Sequence, residues 1–104
     1  MITITNKREF YEEIADDVPV IADFTAFWCA PCKLQTPILS ELESGLNGKV
    51  KIIKIDVDEN AELADERKVK AVPTMLIYKN GKLADKSVGL STKAVLSEKL
   101  IGYL

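Results

Sequence analysis

The chain contains no histidine and only two cysteines. Without imidazole it lacks the usual general base near neutral pH, the usual metal ligand and any Cys–His nucleophile pair. Two thiols are too few for the disulfide framework of a small secreted scaffold, and they cannot complete a four-ligand zinc site in one chain. No metal and no cofactor are therefore expected. An excess of charge of one sign is also missing. Fourteen basic and 16 acidic residues leave a net charge of −2, which gives no footprint for nucleic acid or for an anionic membrane. No stretch approaches the roughly 20 apolar residues that span a bilayer. Met1 to Phe10 alternates Ile and Thr and then turns charged, without the apolar core of a secretory signal, so a cytoplasmic location is expected. Repeats, low-complexity tracts and linkers are absent.

What is present suits one domain over residues 1–104, with 47% hydrophobic and 29% charged residues. Ile2 to Thr5 alternates as a short strand does. Asn6 and Glu9 resemble a capping box for a helix through Ala15, with Phe10 and Ile14 on its apolar face. Val18 to Phe27 is apolar on both faces and reads as a buried central strand. Leu34, Ile38, Leu42 and Leu46 recur every four residues and predict a helix ended by Asn47-Gly48, with a bend at Pro37. Val50 to Val57 is a second central strand. Asn60 is placed to cap a short helix carrying Leu63 and Ala64. Thr74 to Tyr78 and Leu83 to Val88 flank Asn80-Gly81, a hairpin signal. Ser91 or Thr92 caps a last helix. The order β-α-β-α-β-α-β-β-α predicts an α/β fold, a mixed sheet with helices on both faces, its strand–helix–strand units crossing over in parallel.

The chemistry is carried by Trp28-Cys29-Ala30-Pro31-Cys32-Lys33, at a strand-to-helix junction. A helix N-terminus offers unpaired N–H groups and partial positive charge, which lower a thiol's pKa. Cys29, nearest the loop, is assigned the attack on a substrate disulfide. Cys32, about a turn on, reaches back to resolve the mixed disulfide. Pro31 fits the first helical turn, and Lys33 adds positive charge. Three other readings compete: a structural disulfide, which stabilises little across so short a loop; half of a zinc site shared with a partner chain; and two inert buried thiols.

Asp23 interrupts Val20-Ile21-Ala22 and Phe24 in a strand expected to be covered on both faces. Asp is depleted in strands, and burial raises its pKa toward the range useful for proton transfer. Six residues before Cys29, it is assigned the proton of Cys32; an edge Asp or a structural acceptor is the alternative. Pro73 precedes a strand. That position reads as a chain break, with a cis Val72–Pro73 bond as a second possibility.

Asp23-Phe24, Trp28 to Lys33, Pro37, Ile55-Asp56, Val72-Pro73-Thr74, Lys79-Asn80-Gly81 and Gly89 together resemble the thioredoxin family, nearly end to end. The resemblance implies a thioredoxin fold of five strands and four helices, with Cys29 as the exposed nucleophile and Cys32 as the buried resolving thiol. Asp23 would be the family's buried carboxylate and Pro73 its cis-proline. Trp28, Ala30, Pro31, Val72, Pro73, Val88 and Gly89 would line the groove for an extended substrate segment. The implied activity is protein-disulfide reduction in the cytosol by a monomer, itself reduced by a thioredoxin reductase.

Four positions depart from the family. Ala30 stands where most members have Gly, Thr25 replaces an aromatic residue, and Phe27 occupies a position that is often polar. Ile52 aligns with a lysine that pairs with the buried carboxylate in some members, while Lys54 lies two residues on along the same side. Two other functions compete. An oxidase or isomerase of this fold commonly has His between its cysteines, which Ala30-Pro31 lacks. A binding subunit or clamp would leave its thiols unused, or would dimerise around a cluster.

Overall fold

The computed structural model describes residues 1–104. In chain order the elements are β1 (Ile2–Ile4), α1 (Lys7–Ile14), β2 (Val20–Thr25), α2 (Ala30–Leu46), β3 (Lys51–Asp56) and α3 (Ala61–Glu66). Then come β4 (Thr74–Lys79), β5 (Lys82–Val88) and α4 (Lys93–Leu100), followed by a 3-10 turn over Ile101–Tyr103. The sheet order is β1-β3-β2-β4-β5. β1, β3 and β2 are parallel; β4 runs antiparallel to β2, and β5 antiparallel to β4.

One step differs from the sequence expectation. The β3-α3-β4 unit is not a parallel crossover. The six residues of α3 rise only about 9 Å, whereas a six-residue strand spans about 20 Å. Helix α3 alone does not return the chain to the far end of the sheet, and the 67–73 loop that follows does not run back along it. β4 starts at the end where β2 and β3 finish, and this brings Val72 to Cys29.

Local chemistry sets the ends of the elements. The Asn6 side chain accepts from Glu9 N–H at 2.9 Å. The Glu9 carboxylate reaches one residue further back than a capping box requires, to the N–H and hydroxyl of Thr5 at 2.7 and 2.6 Å. Thr92, not Ser91, caps α4, its side chain accepting from Val95 N–H. Asn60 makes no side-chain cap for α3; its amide donates to Asp56 O at 3.1 Å instead. Asn80 and Gly81 have φ of 53° and 80°, the left-handed pair that a tight hairpin turn needs. Helix α2 continues through Pro37, which is exposed.

The three central strands β2, β3 and β4 are covered on both sides. Phe10 and Ile14 of α1 and Leu63 and Ala64 of α3 pack on Ala22, Phe24, Ile53, Ile55 and Tyr78. Leu39 and Leu42 of α2 and Leu96 and Leu100 of α4 pack on Ile21, Ile52, Met75 and Ile77. The expected stripe of α2 is rotated. Gln35, Leu39 and Leu42 are buried, while Leu34 is 61% exposed. A strict spacing of four drifts about 40° per step around a helix of 3.6 residues per turn. Strand β2 is also shorter than expected, because its last partners are Asp56 and Thr74. The chain leaves the sheet there, and Phe27 ends 77% exposed.

Phe10 is fully buried and packs edge-on against Tyr78 at 5.7 Å between ring centroids. Phe10→Ala is expected to lower the free energy of unfolding by about 3–5 kcal/mol in urea titration, whereas Leu34→Ala changes it by less than about 0.5 kcal/mol.

Candidate active site

Strand β2 ends beneath the start of α2, and the turn between them carries the thiols. Cys29 is the N-cap of α2. Its Sγ accepts from Cys32 N–H at 3.2 Å, so one of the helix's orphan donors points at that sulfur. Cys29 N–H in turn donates to Ala26 O at 3.2 Å. Pro31 occupies the first turn, where no N–H is needed. Cys29 and Cys32 form a disulfide with their Cα atoms 5.3 Å apart. Both residues are buried, at 5% and 2% exposure. Cys29 is therefore less open than expected, and the two differ chiefly in their surroundings. Trp28, Ala30 and Pro31 around Cys29 are exposed, and Cys29 Sγ lies 3.7 Å from the Val72 carbonyl oxygen.

The Val72–Pro73 peptide bond is cis. The segment is braced from both sides, by Gly89 N–H donating to Pro73 O at 2.8 Å and by Thr74 Oγ1 donating to Ala71 O at 2.6 Å. Gly89 has a φ of 85°, where a side chain would be strained. Val88, opposite Thr74 in the hairpin, is 61% exposed. A cavity of about 200 Å³ opens between Trp28, Val57 and the 69–72 loop. Trp28 is anchored by its Nε1–H, which donates to Asp58 Oδ2 at 2.8 Å. Asp58 sits in a turn held by its own N–H and that of Glu59, both donating to Asp56 Oδ1. Sequence reasoning missed Asp58; a lone acidic residue in a polar turn carries no signal of its partner.

Asp23 is fully buried, and neither carboxylate oxygen has a hydrogen-bond partner. Burial pushes its pKa up to about 6, partly offset by the charge of Lys54. Lys54 is the residue opposite Asp23 in the β2–β3 register, whereas Ile52 lies opposite Ile21 in the core. The lysine sought at Ile52 is therefore Lys54. Its Nζ donates to Thr36 Oγ1 at 3.2 Å, and Thr36 Oγ1 donates to Cys32 O at 3.3 Å. Thr36, also missed from the sequence, ties the lysine to the first turn of α2. A cavity of about 410 Å³ reaches Cys32, Thr36 and Lys54, with Phe27 on its wall. No three His, Cys, Asp or Glu side chains converge where they could hold a metal ion.

The thioredoxin family model matches residues 1–101. The thioredoxin of Bacillus subtilis (strain 168) is 45% identical over 97 residues, spanning 93% of this chain and 92% of that one. That of Rickettsia bellii is 40% identical over 95 residues, 91% and 90% of the two chains. The solved structure of Plasmodium falciparum thioredoxin superposes with a TM-score of 0.89 at 33% identity, covering 100% of both chains.

This chain belongs to the thioredoxin family. As a thioredoxin-family thiol–disulfide oxidoreductase it reduces protein disulfides, with Cys29–Cys32 as its redox-active pair.

The thioredoxin fold holds Asp23 at a cost that depends on pH. With the folded pKa near 6 and an unfolded value of about 3.9, the native state binds more protons between those values. This contribution to stability is fully present below about pH 4 and is lost as pH rises through 6. Asp23→Asn is expected to raise the urea midpoint at pH 8, by up to about 3 kcal/mol in unfolding free energy, with the gain gone at pH 3.5. Equal gains at both pH values would contradict the raised pKa.

Proposed function

We propose that Cys29 is the attacking thiol, Cys32 the resolving thiol and Asp23 the acceptor of the Cys32 proton. The observation that carries this reading is the Cys29 sulfur at the N-cap of α2, accepting from Cys32 N–H at 3.2 Å. In the reduced protein the same N–H, with the partial positive charge of the helix end, favours the Cys29 thiolate. That thiolate attacks one sulfur of a substrate disulfide, forming a mixed disulfide and releasing the first substrate thiolate. Cys32 then gives its proton to the Asp23 carboxylate and attacks the Cys29 sulfur. The Cys29–Cys32 disulfide forms and the second substrate thiolate leaves, so two electrons have passed to the substrate.

The groove residues are Trp28, Ala30, Pro31, Val72, Pro73, Val88 and Gly89. Support for this comes from the contact of Cys29 Sγ with the Val72 carbonyl and from the exposure of Trp28 and Val88. Protein disulfides are the substrates, and a thioredoxin reductase returns the pair to the dithiol. The protein works as a monomeric domain over residues 1–104, in the cytoplasm.

Cys32→Ser is expected to accumulate a covalent complex with an oxidised protein substrate, seen on a non-reducing gel, while Cys29→Ser accumulates none. The opposite pattern would reverse the two roles. The resolving step, followed by stopped flow, is expected to slow as pH falls below about 6 in the native protein. In Asp23→Asn it is expected to be slower and flat across that range. A native-like profile in the variant removes Asp23 from the mechanism.

A further inference from the structure

Beside the Val72–Pro73 segment, between the α3–β4 loop and the edge strand β5, lies a second concavity of about 330 Å³. Four cations line it, Arg67, Lys68, Lys70 and Lys86, and no carboxylate does. Only Arg67 has an ion-pair partner, Glu66 at 3.6 Å, and Glu66 is shared with Lys7 and Tyr11. The three lysines are exposed. The chain as a whole is net negative at −2, so the patch does not reflect overall charge. Lysine on an edge strand blocks unwanted pairing, which accounts for Lys86. Arg67, at the end of α3, is held by Glu66 and lies over the Tyr11 ring at 5.4 Å, but Lys68 and Lys70 come from a loop with no edge to protect.

The pocket is continuous with the groove. Ala71 and Val88 line it, and Lys70 and Ala71 are also walls of the cavity beside Trp28. Its loop is held in place: Lys68 N–H donates to Asp65 O, Val69 N–H to Ala64 O, and Thr74 Oγ1 to Ala71 O. The turn on the Trp28 side carries exposed Asp58 and Glu59 instead. The rim of the groove is thus acidic at Trp28 and basic at Lys70.

We propose that this pocket receives an acidic side chain of the protein substrate, within a few residues of the cysteine under attack. It thereby selects disulfides in acidic segments. The proposal rests on the reading of Cys29 as the attacking thiol at this groove. The step itself is unchanged; the added ion pairs act on encounter and docking.

Three peptides of equal length would test it, each with one internal disulfide and differing only in Asp/Glu, Ser or Lys at the flanking positions. They would be given to the reduced native protein and to a Lys68→Ser/Lys70→Ser/Lys86→Ser variant. At low ionic strength the native kcat/KM is expected to be about fivefold higher for the acidic than for the serine peptide, and lowest for the lysine peptide. That ratio is expected to approach one in about 0.5 M salt and in the variant. Equal native rates for the acidic and serine peptides, or an unchanged ratio in the variant, would overturn the pocket while leaving disulfide reduction intact. If the native protein reduced none of the three, the assignment of Cys29 would fail and the proposal with it.

Discussion

Helix α2 begins on a sulfur atom. Most helices are capped by an oxygen of Ser, Thr, Asp or Asn; here the acceptor for the N–H of the third helical residue is Cys29 Sγ. A neutral or disulfide-bonded sulfur is a weak acceptor. A thiolate is an anion facing oriented N–H groups and the positive end of a long helix. One contact therefore does two things: it starts the helix, and it improves when Cys29 is charged. The rest of the site takes its position from that start. Cys32 reaches Cys29 because both lie in the first turn, and the Val72 carbonyl meets the sulfur because β4 starts at the end of the sheet where β2 finishes.

Beneath this end the fold works against its own stability. Asp23 occupies the centre of the sheet with no hydrogen-bond partner, between Lys54 on β3 and Met75 on β4. An apolar side chain there would suit the two packed layers better. The consequence of the carboxyl is a group that titrates near pH 6 within the layer that α2 covers. Lys54 holds that value below what burial alone would impose, and Thr36 fixes where the lysine points. A buried residue that violates its surroundings is where sequence logic is expected to mark function.

Much of this was legible because it is local. The Cys29–Cys32 spacing, the Asn80-Gly81 turn, the Asn6 cap and the conflict of Asp23 with its strand each lie within a few residues. Their physics follows from helix and strand geometry alone. What the sequence obscured depends on distance. Trp28 and Asp58 are 30 residues apart, and Thr36 and Lys54 are 18 apart; no periodicity links them. The choice of Lys54 over Ile52 turns on register, where a slip of two residues keeps a side chain on its face but changes its neighbour. The leucine spacing on α2 misplaced the buried stripe because four residues overshoot a turn. The antiparallel course of β4 depends on where the loop after α3 delivers the chain, which no local pattern sets.

The most direct test of the account is the titration of the reduced protein's thiols by rapid alkylation with iodoacetamide across pH, with the labelled cysteine identified by mass spectrometry. Cys29 is expected to be labelled first, with an apparent pKa below the roughly 8.5 of a free cysteine, while Cys32 stays unreactive through neutral pH. If Cys29 titrated at or above the free value, or if Cys32 were labelled first, the start of helix α2 would not be the source of reactivity and the central claim would be wrong.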